Sequence, residues 1–175
     1  MMRLVPLILI LLISCSTLKK YPLKSDRWEN DIKVLESKDE DERCIDDCIL
    51  FVGSSSIRLW KEIKSDMSPY KVVKRGYGGA NFYDLIHYTK RLVRNHNPKA
   101  IVVFVANDIT GKNNNSWYGD LKPKEVLKLF KFFTKEIRSL HGDIPIFAIE
   151  TTPTISRWSA WNKISNANDL IKDYT

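Results

Sequence analysis

Apolar positions fall into short unbroken runs separated by amphipathic stretches, and the two alternate along most of the chain. Cys48 to Val52 is an apolar run stopped by Gly53, the pattern of a strand buried on both faces. Residues 56–65 set Ile57, Trp60 and Ile63 at helical spacing and predict a helix. Tyr70 to Lys74 reads as a second strand, closed by Gly76, Gly78 and Gly79. Residues 81–94 predict a helix with Leu85, Ile86, Leu92 and Val93 on one side, and Ala100 to Val105 is the strongest strand pattern in the chain. After a polar loop from Gly111 to Asp120, Pro123 opens an amphipathic helix through Leu140 that carries Val126, Leu127, Phe130, Phe133 and Ile137; proline suits a first helical turn because its missing N–H has no partner there anyway. Ile144 to Ile149 predicts a fourth strand and residues 159–173 a last helix. Strands alternating with helices of this length form βαβ units, so the pattern predicts an α/β fold with a parallel sheet and helices on both faces.

The N-terminal residues do not fit that alternation. Arg3 precedes an apolar run from Val5 to Ile13, far shorter than the roughly 20 residues a membrane-spanning helix needs. It has the character of a secretory signal, and residues 1–14 are expected to be removed. Leu12-Ile13-Ser14-Cys15 resembles the lipobox of bacterial lipoproteins, which implies lipidation of Cys15 and a membrane anchor at the cell envelope. Residues 15–46 read as a charged tether with a short helix around Trp28 to Leu35, and residues 47–175 as the folded domain.

Composition narrows the partners. Without residues 1–14 the chain keeps 27 of its 28 Lys and Arg against 21 Asp and Glu, a net charge of 27 − 21 = +6. That excess is spread out, with none of the basic clustering that nucleic-acid binding needs. Cys44 and Cys48 flank the turn-like Ile45-Asp46-Asp47 in a chain expected to leave the reducing cytoplasm. A disulfide between them is plausible on those grounds; a metal site is the alternative, although no second Cys or His pair has suitable spacing.

In doubly wound sheets reactive groups gather at the carboxyl ends of the strands. Those ends carry Gly53-Ser54-Ser55-Ser56, Gly76-Tyr77-Gly78-Gly79 and Ala106-Asn107-Asp108. Singly, each has a structural explanation: serines cap helices, glycines make tight turns, and Asn-Asp caps or turns. Together, in this order, they resemble the blocks of the SGNH/GDSL hydrolases over residues 47–172. Leu50-Phe51-Val52-Gly53-Ser54-Ser55-Ser56-Ile57-Arg58-Leu59-Trp60 matches the first block with Gly-Ser-Ser in place of Gly-Asp-Ser; Gly79 and Asn107 match the second and third.

The resemblance implies a three-layer α/β/α flavodoxin-like fold, a nucleophile at Ser55, and an oxyanion hole made by the Ser55 N–H, the Gly79 N–H and the Asn107 amide. It implies no cofactor and no metal. The partner would be a small acyl ester, such as an acetylated carbohydrate or a lipid-like ester, met at the cell envelope. Preorganised donors suit this chemistry because the attacked carbonyl oxygen gathers negative charge in the transition state. Ser55 would also gain from the positive end of the helix it opens.

Two departures stand out near these blocks, Val105 where the third block usually has glycine and Lys74 where asparagine is common. The larger one is the absence of a fourth block, in which an aspartate precedes a histidine by three residues. The histidines are His87, His96 and His141. Asp84 precedes His87 by three, but that pair follows the glycine block and reads as a helix-surface feature. Related chains run further, through a last strand and helix, so the sequence is expected to represent a truncated domain with impaired turnover and an exposed sheet edge. A non-catalytic surface lipoprotein that keeps the fold as a binding module is the alternative. A flavodoxin-type nucleotide site fits poorly, since its phosphate loop would want more glycine or threonine after the first strand.

Overall fold

A computed structural model describes residues 21–23, 26–112 and 119–175; the expected signal segment and Cys15 lie outside the described residues. Helix α1 spans Glu29–Ser37, strand β1 Cys48–Gly53, helices α2 and α3 Ser55–Leu59 and Ile63–Asp66, and strand β2 Lys71–Gly76. Helix α4 follows at Phe82–Val93, strand β3 at Ala100–Phe104, helix α5 at Pro123–His141 and strand β4 at Ile146–Ala148. A 3₁₀ turn, Ile155–Ala160, leads into α6, Trp161–Lys172. The four strands are parallel, in the order β2-β1-β3-β4.

Side chains alternate across the sheet, and that alternation divides the interior in two. Leu50, Val52, Ile101 and Val103 face one way and pack with residues of α1, α4, α5 and α6 in the larger core. Phe51 and Val72, joined by Ile49, Val102 and Phe104, face the other way against Ile57, Ile63 and Trp60. Burying an aliphatic or aromatic side chain of this kind is worth about 1.5–3 kcal/mol, so the larger core dominates the stability. The second helical layer is thin, and Phe147 on β4 is 58 % exposed.

The expected helix over residues 56–65 is two short helices. Trp60 leaves the helical region at φ −69° and ψ 90°, and Lys74 Nζ takes the carbonyls of Arg58 (3.2 Å) and Trp60 (2.7 Å) that a continuing helix would have used. A lysine in the adjacent strand thus ends the helix by satisfying its last acceptors.

The acidic run after α1 is not all solvated. Asp39 is buried, and its Oδ1 accepts from Nε (2.9 Å) and Nη2 (2.8 Å) of Arg75, a fully buried side chain. Asn95 donates to the other oxygen of Asp39 at 3.0 Å, and the Nε2 of His96 lies 3.1 Å from Oδ1. Cys44 and Cys48 are disulfide-bonded, and Asp47 between them takes a φ of +51°. The Cys44 N–H donates to His96 Nδ1 at 3.1 Å, so the bridge and the buried ion pair share one histidine.

Candidate active site

Strands β2, β1 and β3 are neighbours in register, with Gly53 paired to Gly76 on one side and Phe104 on the other. Their carboxyl ends therefore bring the three motif loops to one edge of the sheet. Gly53 has a φ of +131°, and a Cβ there would lie 2.0 Å from the Phe104 carbonyl oxygen. Only glycine allows so close an approach, and the next N–H, that of Ser54, donates to the same oxygen at 2.9 Å. Ser54 is buried with an extended backbone at the start of α2, and its carbonyl accepts from the N–H of Ile57 (3.0 Å) and Arg58 (3.2 Å). Ser55 follows, half-buried, as the first helical residue. Because α2 is only five residues long, the dipole assistance expected at Ser55 is small.

The glycine loop is held from several sides. Tyr77 N–H donates to the Gly53 carbonyl at 3.0 Å, and the indole Nε1 of Trp28 donates to the Gly78 carbonyl at 2.6 Å. Gly79 has a φ of +73° with no atom within 4 Å of where a Cβ would sit, so its backbone borders open space. Asn81 then caps α4, its Oδ1 accepting from the Asp84 N–H at 2.8 Å.

The third loop is bonded to the second. Asn107 Nδ2 donates to the Ala80 carbonyl at 2.7 Å, and both oxygens of Asp108 accept from the Phe82 N–H at 3.0 Å. Asp108 is buried, and desolvation pushes its pKa up to about 7 even though backbone N–H groups partly stabilise its charge. Asp120 anchors the start of the following loop, accepting from the N–H groups of Thr110 (2.9 Å) and Gly111 (2.7 Å). Arg157, on the 3₁₀ turn, donates to the Ala106 carbonyl and to Asn107 Oδ1, the latter at 2.9 Å. A cavity of about 40 Å³ opens beside this loop, lined by Val103, Val105, Ala106, Asp108 and Ile109 of the chain around β3 and by Ala148 and Ile164 opposite.

The histidines are engaged elsewhere. His87 Nε2 meets the Tyr21 carbonyl at 2.7 Å, and burial lowers its pKa. Asp84, expected on a helix surface, is instead buried, and desolvation raises its pKa to about 6. The helix lies against the core here, and Asp84 occupies its first turn. His96 belongs to the Asp39–Arg75 cluster, and burial lowers its pKa to about 4. His141 closes α5, and burial lowers its pKa too. Among the described residues no group of His, Cys, Asp or Glu side chains is arranged to hold a metal ion. The resemblance followed the sequence through Arg157 but gave that residue no role; nothing in its local sequence points back across fifty residues to Asn107.

No family model matches the chain, and no curated protein matches it. Solved structures do. A candidate acylhydrolase from Bacteroides fragilis superposes with a TM-score of 0.65 at 19 % identity, covering 81 % of this chain and 70 % of that one. A GDSL-like lipase from Bacteroides thetaiotaomicron gives 0.59 at 17 % identity, covering 85 % and 71 %. An acetyl xylan esterase, AlAXEase, gives 0.53 at 18 %, covering 71 % and 72 %. The chain is thus an α/β protein with a wholly parallel sheet, and its fold is that of the SGNH/GDSL hydrolases.

Proposed function

We propose that this chain carries a serine ester hydrolase site of the SGNH type, with Ser55 as the nucleophile. The observation behind the reading is the pair of bonds that locks the loops together. Ser54 N–H holds the serine turn to the end of β3, and Asn107 Nδ2 holds the end of β3 to the glycine loop. In the reaction Ser55 Oγ bonds to the carbonyl carbon of an ester, and the π electron pair moves to the carbonyl oxygen. The N–H groups of Ser55 and Gly79 and the Asn107 amide stabilise that oxygen. Ser55 Oγ gives up its proton to solvent as it attacks; collapse breaks the ester C–O bond, and the leaving oxygen takes up a proton from solvent and departs as the alcohol. Water then adds to the acyl carbon, the bond to Ser55 Oγ breaks with a proton returned to the serine, and the carboxylic acid is released.

Small acyl groups are the favoured substrates. The likeness to an acetyl xylan esterase agrees with acetylated carbohydrate. Lipidation at Cys15 would hold the domain at the bacterial cell envelope.

Serine is a weak nucleophile without a base, and the histidines are bonded to Tyr21, to Cys44 and to the backbone near Val93. Impaired turnover is therefore part of the proposal, and the same observation favours a second reading, a binding module without catalysis. The deciding experiment treats the purified protein with a fluorophosphonate probe and maps the adduct by peptide mass spectrometry. Labelling at Ser55 that Ser55→Ala abolishes supports the hydrolase. A folded protein that takes no label at Ser55 overturns it in favour of the binding module.

A further inference from the structure

Asn107 can serve an oxyanion only if its amide nitrogen, rather than its oxygen, faces the reacting carbonyl. A free asparagine side chain chooses between those orientations by small energy differences. Here the choice is removed. Nδ2 faces the Ala80 carbonyl at 2.7 Å, and a carbonyl can only accept. Oδ1 faces Nη2 of Arg157 at 2.9 Å, and a guanidinium can only donate. Turning the amide over would set oxygen against oxygen and N–H against N–H, losing both bonds at once. Nδ2 carries two hydrogens, and Ala80 uses one of them.

Arg157 is itself held for this task. Its guanidinium also donates to the Ala106 carbonyl, one residue before Asn107. The 3₁₀ turn that carries it sits tightly on the loop after β3, where a Cβ on Gly111 would come within 2.8 Å of Ser159 Oγ. A cation bonded to Oδ1 draws electron density through the amide, and charge-assisted bonds are roughly twice as strong as neutral ones. The remaining N–H of Nδ2 becomes a better donor as a result.

We propose that Arg157 is a positioning residue that fixes the orientation of the Asn107 carboxamide and strengthens its free N–H for an oxyanion. This inference rests on the hydrolase reading, so its test carries one readout that needs the serine to react and one that does not. The first compares the rate of Ser55 labelling by a fluorophosphonate in the wild type, Asn107→Ala, Arg157→Met, their double variant and Arg157→Lys. Arg157→Met should slow labelling by about tenfold or more, a fraction of the 10²–10³ lost with a whole oxyanion donor. The double variant should be no slower than Asn107→Ala alone, and Arg157→Lys, which keeps one donor, should recover part of the rate.

The second readout is the Asn107 side-chain amide in a ¹⁵N-correlated NMR spectrum. The wild type should show two well-separated Nδ2 proton resonances, and Arg157→Met should bring them together while the backbone spectrum stays native. Losses that add in the double variant, or Asn107 resonances that do not change in folded Arg157→Met, overturn the proposal. An unlabelled but folded wild type removes the hydrolase reading alone, and the amide resonances then decide the role of Arg157.

Discussion

Adding one methyl group to Gly53 and one to Gly79 should have very unequal consequences, and the structure supplies the magnitudes. At Gly53 the new Cβ would lie 2.0 Å from the Phe104 carbonyl oxygen, while Cβ contacts essentially never fall under 3.0 Å, so β1 and β3 must part by at least 3.0 − 2.0 = 1.0 Å. That stretches the Ser54 N–H bond to Phe104 from 2.9 Å to beyond hydrogen-bonding range. A lost hydrogen bond of about 1 kcal/mol adds to about 2 kcal/mol for forcing alanine to a φ of +131°. Gly53→Ala should therefore cost about 3 kcal/mol, a fall in Tm of roughly 6–12 °C for a domain of this size. Gly79→Ala meets no atom within 4 Å at a φ of +73°, so strain of about 1–2 kcal/mol is partly offset by the reduced freedom of the unfolded chain. Its Tm should fall by roughly 4 °C or less, and on the hydrolase reading the added methyl group should slow Ser55 labelling. Differential scanning calorimetry on both variants measures the contrast. A Gly53→Ala protein melting within 2 °C of the wild type would refute the steric reasoning.

Stability should also respond to pH through its buried groups, with Asp84 acting in the same direction as Asp108 and His96 in the other. Asp108 has its folded pKa raised to about 7, so between about pH 4 and pH 7 the unfolded chain releases a proton the folded one keeps. Its contribution weakens as pH rises through that window, and Asp108→Asn should flatten that part of the Tm–pH curve. His96 has the opposite sign: with its folded pKa lowered to about 4, the unfolded chain takes up the proton first, and stability is lost as pH falls from about 6.5 toward 4. Replacing Cys44 and Cys48 by serine opens a bridge between residues four apart in sequence, which the loop-entropy relation values at about 2 kcal/mol; urea denaturation of the oxidised protein and the double variant measures it. Arg75→Met leaves Asp39 buried without its main partner, and losses of about 3–5 kcal/mol follow when one member of such a pair is removed. The double replacement Arg75→Met with Asp39→Leu should recover much of that loss in the same denaturation assay.

The strands and long helices were legible because each reports its own environment. Unbroken apolar runs at β1 and β3 and the spaced apolar residues of α4 and α5 encode burial locally. Ser55, Gly79 and Asn107 stand out as an ordered set because each follows a strand whose end is readable, and those strand ends lie side by side in the sheet. What escaped depends on contacts distant in sequence. The break at Trp60 comes from Lys74 on the neighbouring strand. The burial of Asp39, in a run that reads as solvated, follows from its pairing with Arg75 thirty-six residues on. Asp84 looks like a surface residue until α1 and Tyr21 are seen packed over its helix. Arg157 reaches Asn107 only because the turn that carries it folds back over β3.

The bond from Trp28 to the Gly78 carbonyl ties the N-terminal arm to the glycine loop of the candidate site. The indole is 7 % exposed and packs edge-on against Tyr77, with ring centroids 5.9 Å apart. The glycine loop is thus braced by a residue from outside the βαβ unit that forms it, and it cannot shift without breaking an aromatic pair and a 2.6 Å hydrogen bond together. Glycine-rich backbone is the most compliant part of a fold, and here its stiffness is borrowed from the residue that precedes helix α1. On the hydrolase reading, a donor held still in advance would need little reorganisation when charge develops on a bound ester. The arm also makes Trp28 an optical gauge, because any slackening of the loop should alter the surroundings of its indole.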